Sequence, residues 1–249
     1  DAAPAVALKV SPAKPVRGSA FAVTGKLPTK VKRSVELQAK VGGKWKKVAS
    51  GKTDAKGKFS LKASTTKSSL TVRVVAAKAK VGKKTYAKVT SKSKQITTVT
   101  QSMSAAKITP AKPIKGETFT VTGSVKPKVK RAVELQAKVG GKWKKVASGK
   151  TDAKGTFSFK TSTKKSSVQL RVVAKKATVA KVGYPKMTGK TVTVKTMAQT
   201  AKLSIVSSAF VNQGVTATLT FTPARSGRAT QVQVLDKGKW VTLAKGTQD

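Results

Sequence analysis

The feature that most constrains this chain is a 23-residue stretch, Val-Glu-Leu-Gln-Ala-Lys-Val-Gly-Gly-Lys-Trp-Lys-Lys-Val-Ala-Ser-Gly-Lys-Thr-Asp-Ala-Lys-Gly, which fills residues 35–57 and returns unchanged at residues 133–155. One structural unit is therefore made at least twice. Within it Val35, Leu37 and Ala39 alternate with Glu36, Gln38 and Lys40, the period of a strand with one dry and one wet face. Gly42-Gly43 supplies the positive φ angles of a two-residue hairpin turn, so the segment from Lys44 folds back beside the first strand. Asp54, with Gly57 three residues on, marks the next turn, after which Phe59 and Leu61 resume the alternation. The unit reads strand, tight turn, strand, turn, strand.

The same offset of 98 residues relates residues 10–25 to residues 108–123, so the two copies are in register well beyond the identical stretch. Pro12, Pro15, Pro110 and Pro113 predict a bent edge at the start of each copy. Phe21 with Val23, and Phe119 with Val121, face inward from the next strand. Later in each copy Leu70, Val72 and Val74 share a face opposite Arg73, and Arg171 repeats that position; a final strand over residues 95–99 or 191–195 is rich in Thr and Val. Seven short strands per copy, without helical periodicity, predict an all-β chain of tandem immunoglobulin-like β-sandwiches. The expected domains are 1–101, 102–198 and a partial third repeat at 199–249, aligned with the second through Pro223, Lys237-Gly238 and Trp240. The third repeat stops where the others continue into three more strands, leaving Leu219, Phe221, Val232, Val234 and Trp240 without an opposing layer. Either the natural chain continues past Asp249 or another chain supplies strands there, giving self-association by β-addition.

Charge narrows the partners. The chain has 249 residues, with 53 Lys plus Arg against 8 Asp plus Glu, a formal +45. Residues 201–249 hold six cations and two acids, a net +4, which leaves +41 for the first 200 residues. Only seven of the cations are Arg, and lysine lacks the planar fork that reads a base edge, so diffuse attraction to a polyanion is favoured over sequence readout. The bland alternative is a solubilising coat. The lysines singled out are Lys44, Lys46 and Lys47 beside the hairpin and their copies Lys142, Lys144 and Lys145.

Chemistry beyond charge is sparse. With no histidine and no cysteine, the commonest general base, thiol chemistry and the usual metal ligands are missing together. Glu36 and Glu134 are one position in two modules, not an acid and base across one cleft, and Asp54 and Asp152 read as turn caps. No enzyme, cofactor or metal is expected. Trp45, Trp143 and Trp240 recur at one module position, where packing in the core or hairpin is the simplest role. Trp45 and Val48 are three apart, however, and share a face only if the strand is bulged, so Trp45 and Trp143 are also candidates for stacking on a glycan. No apolar run approaches the ~20 residues of a membrane-spanning helix. The start, Asp1-Ala2-Ala3-Pro4-Ala5, fits a mature chain after cleavage of a leader, or a fragment.

Val-x-Leu-Gln, Gly-Lys-Trp, Thr-Asp-x-x-Gly-x-Phe and a late Arg-Val strand, taken together, resemble the immunoglobulin-like repeats of secreted and surface proteins of Gram-positive bacteria, especially actinobacteria. The resemblance covers both full repeats and implies a secreted or cell-surface, non-catalytic sandwich; the lysine content departs from it. The combined expectation is a spacer or adhesion element bound to teichoic acid, acidic polysaccharide or extracellular DNA. The alternatives are an accessory region of a larger secreted hydrolase and a subunit of an extracellular fibre.

Overall fold

The computed structural model describes residues 6–206, 208, 210, 213–224 and 227–248. The first repeat contributes β1 (Lys9–Ser11), β2 (Ala20–Lys26), β3 (Ser34–Val41), β4 (Lys44–Lys52), β5 (Lys58–Ser64), β6 (Ser69–Ala76), β7 (Ala79–Val81), β8 (Lys84–Tyr86), β9 (Val89–Thr90) and β10 (Lys94–Thr97). The second contributes β11 (Ser102–Met103), β12 (Lys107–Thr109), β13 (Thr118–Lys126), β14 (Ala132–Val139), β15 (Lys142–Lys150), β16 (Thr156–Ser162), β17 (Ser167–Ala174), β18 (Ala177–Val179), β19 (Val182–Tyr184), β20 (Met187–Thr188) and β21 (Val192–Lys195). Then come β22 (Thr200–Ile205), β23 (Ala217–Thr222), β24 (Ala229–Asp236) and β25 (Lys239–Thr247).

In the first repeat one sheet has the order β1-β2-β5 and the other β10-β6-β3-β4, with β9 also on β6. The second repeat copies this, with β12, β13 and β16 in one sheet and β15, β14, β17 and β21 in the other. First, second and fifth long strands against third, fourth, sixth and last is an immunoglobulin-like sandwich, the fourth strand joining the third's sheet as a C′ strand does. The period-2 alternation places the core. Phe21, Val23, Phe59 and Leu61 of one sheet meet Val35, Leu37, Val72, Val74 and Ile96 of the other. The second core has the same plan around Phe119, Val121, Leu135, Phe157 and Val172. Each of these side chains, fully buried, stabilises the fold by roughly 1.5–3 kcal/mol.

Local chemistry fixes the connections. Gly42 and Gly43 both have positive φ, 56° and 77°, as a two-residue hairpin turn of the primed type requires. At Gly57, φ is 76° and an added Cβ would collide with the carbonyl of Thr29, so this turn excludes side chains twice over. Asp54 Oδ1 accepts the N–H groups of Lys56 and Lys58 at 2.9 and 2.8 Å, the capping role read from the sequence. The prolines after β1 let the edge strand change sheets: Lys9–Ser11 pairs with β2, whereas Val16 bridges Val99 beyond β10 in parallel.

Two sequence expectations need correction. More than seven strands form, because each repeat adds a hairpin, β7–β8 or β18–β19, and a short strand, β9 or β20. Trp45 and Trp143 are not core residues. In β4, Leu37 faces Ala49 but Gln38 faces Lys47, so Val48 is an extra, bulged residue and the strand's phase inverts there. Trp45 consequently faces Lys40, on the outer side of the sheet. The same bulge falls at Val146 and, in β25, at Leu243.

The junctions are short. Val99 is tied to Pro15 and Arg17 of its own repeat by backbone bonds of 2.8 Å. Gln101 already belongs to the next repeat, accepting a bond from Arg131 Nη1 at 2.5 Å and donating to the Pro185 carbonyl at 3.2 Å. Only Thr100 lies between. Across this junction Gly18 and Ser19 lie against Pro185 and Gly183. After Met197, tied to Pro113 and Lys115, only Ala198 precedes Gln199, which donates to the Pro223 carbonyl at 2.9 Å. Arg228 then pairs with Glu117 of the second repeat at 3.3 Å.

Beyond this point the described residues form two hairpins, β22–β23 and β24–β25, each a two-stranded sheet. Leu219 is 38% exposed, Val234 43% and Trp240 67%, while Phe221 is half-buried beneath the Arg228 guanidinium at 5.2 Å.

Candidate anion-binding surface

The six lysines singled out beside the hairpins are all exposed, but they do not form one face. Lys44 and Lys46 oppose Val41 and Ala39, on the inward side of the sheet, whereas Lys47 opposes Gln38 on the outward side. Lys142, Lys144 and Lys145 divide in the same way. The bulge is the cause, since it shifts the phase between adjacent lysines and the apolar residues that follow. In the second repeat the bulged Val146 lines an apolar hollow with Phe119, Val139 and Leu170.

The outer face of the β3-containing sheet is electrostatically mixed. Arg73 stacks on Trp45 at 4.3 Å and donates from Nε to Gln38 Oε1 at 3.0 Å. Arg171, Trp143 and Gln136 repeat the arrangement at 4.2 and 2.9 Å. One side of each indole is thus taken by a guanidinium, and a sugar would have to use the other. Acids occupy the same face. Lys47 pairs with Glu36 at 3.7 Å, and Lys175 with Glu134 at 2.8 Å. The hydrogen bond from Lys175, helped by the charges of Lys175 and Lys145, holds the Glu134 carboxyl below the usual carboxylate range.

The opposite sheet differs. Its outer face carries Lys9, Lys26, Lys58 and Lys62 in the first repeat, and Lys107, Lys126 and Lys160 in the second. Between them stand short hydroxyl side chains, Thr24, Ser60 and Ser64 in one copy and Thr120, Thr122, Ser124, Thr156 and Ser158 in the other. No acid lies on these strands. Asp54 and Asp152 sit at the turns before β5 and β16, occupied with capping; Asp152 is held below its usual pKa first by the Thr156 hydroxyl and then by the Thr156 N–H. Ammonium groups and hydroxyls are what a polyanion needs from a surface, and on these strands the Thr156 hydroxyl is bonded to a carboxylate, that of Asp152. The sequence carried the signal, alternating Lys and Ser/Thr between core residues in residues 58–64 and 118–126, but reading it requires knowing that these strands are neighbours.

Among the described residues no three of His, Cys, Asp and Glu lie together. No helix among them is long and apolar enough to cross a membrane, which says nothing about β-barrels.

No protein-family model matches the chain, and no curated protein matches it either. Among solved structures it is similar to a fragment from a study of host cell surface retention of a 1.5-MDa bacterial ice-binding adhesin, at 15% identity and a TM-score of 0.37, over 97% of this chain and 82% of that one. It is also similar to the D1–D4 ectodomain fragment of ICAM-5, at 12% identity and a TM-score of 0.33, over 99% and 70% of the two chains. The immunoglobulin-like assignment rests on the strand order above.

Proposed function

We propose that this chain is a non-enzymatic, extracellular or surface-exposed stalk and adhesion element, whose immunoglobulin-like modules at 1–101, 102–198 and 199–249 hold an anionic polymer against their lysine faces. The observation that carries this reading is the acid-free face of Lys, Ser and Thr on β2–β5 and again on β13–β16. One-residue junctions support the spacer part, because short, bonded linkers resist bending. The motif resemblance to repeats of Gram-positive surface proteins supports the location, and teichoic acid, acidic polysaccharide and extracellular DNA share the required charge. The test is binding of the whole chain to polyglycerol phosphate across salt concentrations. Log K should fall linearly with log salt, losing on the order of 10³-fold or more between 50 and 200 mM if six or more cations are engaged. Salt-independent binding, or none at 50 mM, would refute the reading.

A second reading concerns the third segment. There, among the described residues, β23 pairs only with β22 and β24 only with β25, whereas in the second repeat β16 pairs with β13 and β17 with β14. With Leu203, Ile205, Leu243 and Trp240 more than half exposed, those positions suit strands from another copy, as in a fibre subunit. Sedimentation should then show concentration-dependent association that Leu219→Lys with Val234→Lys abolishes; a monomer throughout sinks it.

A further inference from the structure

Despite its 53 cations, the chain keeps like charges apart across its sheets. Directly opposite partners of strand lysines include Thr24 for Lys9, Ala22 for Lys62, Thr120 for Lys160, Gln38 for Lys47 and Ala39 for Lys46. Among the described strand pairs one departs from this pattern. Lys26 stands directly opposite Lys58. Like charges at that separation destabilise a sheet. Both side chains are exposed, and neither has an ion pair among the described residues. Lys9 faces Thr24, one diagonal step from Lys26 on the same face. Three adjacent strands thus deliver three ammonium groups to one end of the sheet, with Thr24 and Ser60 paired beside them.

The second repeat supplies an internal control. At the positions of Lys26 and Lys58 it has Ser124 and Thr156, also directly opposite each other. The divergence begins immediately after the 23 identical residues, so a nearly unchanged scaffold carries a repulsive lysine pair in one copy and a neutral hydroxyl pair in the other. The Thr156 hydroxyl is turned to Asp152 at 2.6 Å, whereas Asp54 in the first copy is bonded to backbone N–H groups. The neutral version shows that the fold does not need the lysines.

We propose that Lys9, Lys26 and Lys58 form a phosphate-binding site, present on the first repeat only, at which a phosphodiester polymer is held. This rests on the polyanion reading above and localises it. Three compact ammonium donors, with hydroxyls between, suit a group with several equivalent oxygens. A planar carboxylate is better matched by an arginine fork, which this face lacks.

The test uses the whole chain, with polyglycerol phosphate and single-stranded oligothymidylate as separate probes. Lys26→Ser with Lys58→Thr installs the second repeat's own residues. It should weaken binding about tenfold at 100 mM salt and remove roughly 1.4–1.8 from the slope of log K against log salt. Its thermal midpoint at low salt should rise. Lys44→Ser with Lys46→Ser makes the same charge change at the hairpin and should cost less than about twofold, while Ser124→Lys with Thr156→Lys should create a second site. Equal losses for both probes identify phosphate as the feature recognised, and loss for one alone identifies its source; either result supports the site. If the hairpin variant loses as much as the Lys26/Lys58 variant, or the latter loses nothing while the wild type binds, the site is refuted and the general reading survives. If the wild type does not bind, the general reading fails.

Discussion

Arg33 and Arg131 occupy the same place in two sandwiches, 98 residues apart, yet among the described residues only Arg131 finds partners for all its nitrogens. Arg131 donates from Nε to the Lys175 carbonyl at 3.1 Å, from Nη2 to Ala174, Lys175 and Pro185, and from Nη1 to Gln101. Arg33 donates from Nη2 to the carbonyls of Ala76, Ala77 and Ala87, but its Nε and Nη1 are buried without a partner among the described residues. The two arginines differ in the sequence that leads into their modules. Gln101 is the last residue before the second sandwich begins, and its counterpart 98 residues earlier is Ala3. The buried arginine of the second module is therefore finished by the residue that leads into it, and that junction is part of the fold it precedes. Gln199 recurs at the same offset and donates to Pro223.

That comparison can be broken by graded substitution. Arg131→Ala strips donors from three backbone carbonyls and Gln101, and should cost the second repeat about 3 kcal/mol or more, since hydrogen bonds to a charged group contribute roughly 1.5–3 kcal/mol each and buried groups left unpaired add to this. Arg33→Ala should cost its repeat about half as much, because two of its donors are already idle. Gln101→Ala, which takes the acceptor from Arg131 Nη1 alone, should cost about 1–1.5 kcal/mol. Hydrogen-exchange protection of β17 against β6, whose peptides differ in sequence, assigns each loss to its repeat. Equal losses for Arg33→Ala and Arg131→Ala would show that the junction glutamine contributes nothing.

Much of the sandwich is legible in the sequence because its determinants are local. Alternation at Val35, Leu37 and Ala39, the Gly42-Gly43 turn, the Asp54 cap and the outward Arg73 all follow from neighbours within a few residues. What escapes depends on pairing between distant segments. The bulge at Val48 is invisible until Leu37 and Gln38 are known to face Ala49 and Lys47. The β7–β8 and β18–β19 hairpins escape because their strands are only three residues long, and the second turns on Ala180 and Lys181 at φ 47° and 66° in place of glycine. The lysine pair of the proposed site is thirty-two positions apart in the chain and emerges only from the register of β2 with β5. The Gln101 plug was accessible in principle, through the recurrence of Gln at position 199.

The smallest expected effect is a pH dependence in the second repeat that uses partners the first lacks. Lys175, which bonds Glu134 at 2.8 Å, is replaced in the first repeat by Ala77, and Thr156, which bonds Asp152, by Lys58. Both carboxyls of the second repeat are held below their usual pKa, Glu134 chiefly by the Lys175 hydrogen bond and Asp152 chiefly by the Thr156 hydroxyl. A carboxyl whose folded-state pKa is depressed stabilises the fold fully above its unfolded value of about 4. The contribution fades as the pH falls through the folded value, where the native state must also take up the proton. Wild type should therefore exceed the double variant Glu134→Gln with Asp152→Asn in thermal midpoint at pH 6, by less than Gln101→Ala costs, since Asp152 and Lys175 are open to solvent and ion pairs at the surface are weak. As the pH falls below about 4 the difference should close, and it should shrink in high salt at pH 6. A difference that stays constant across the acid range would mean that these carboxylates act by shape alone and that Lys175 and Thr156 give the second repeat no electrostatic advantage.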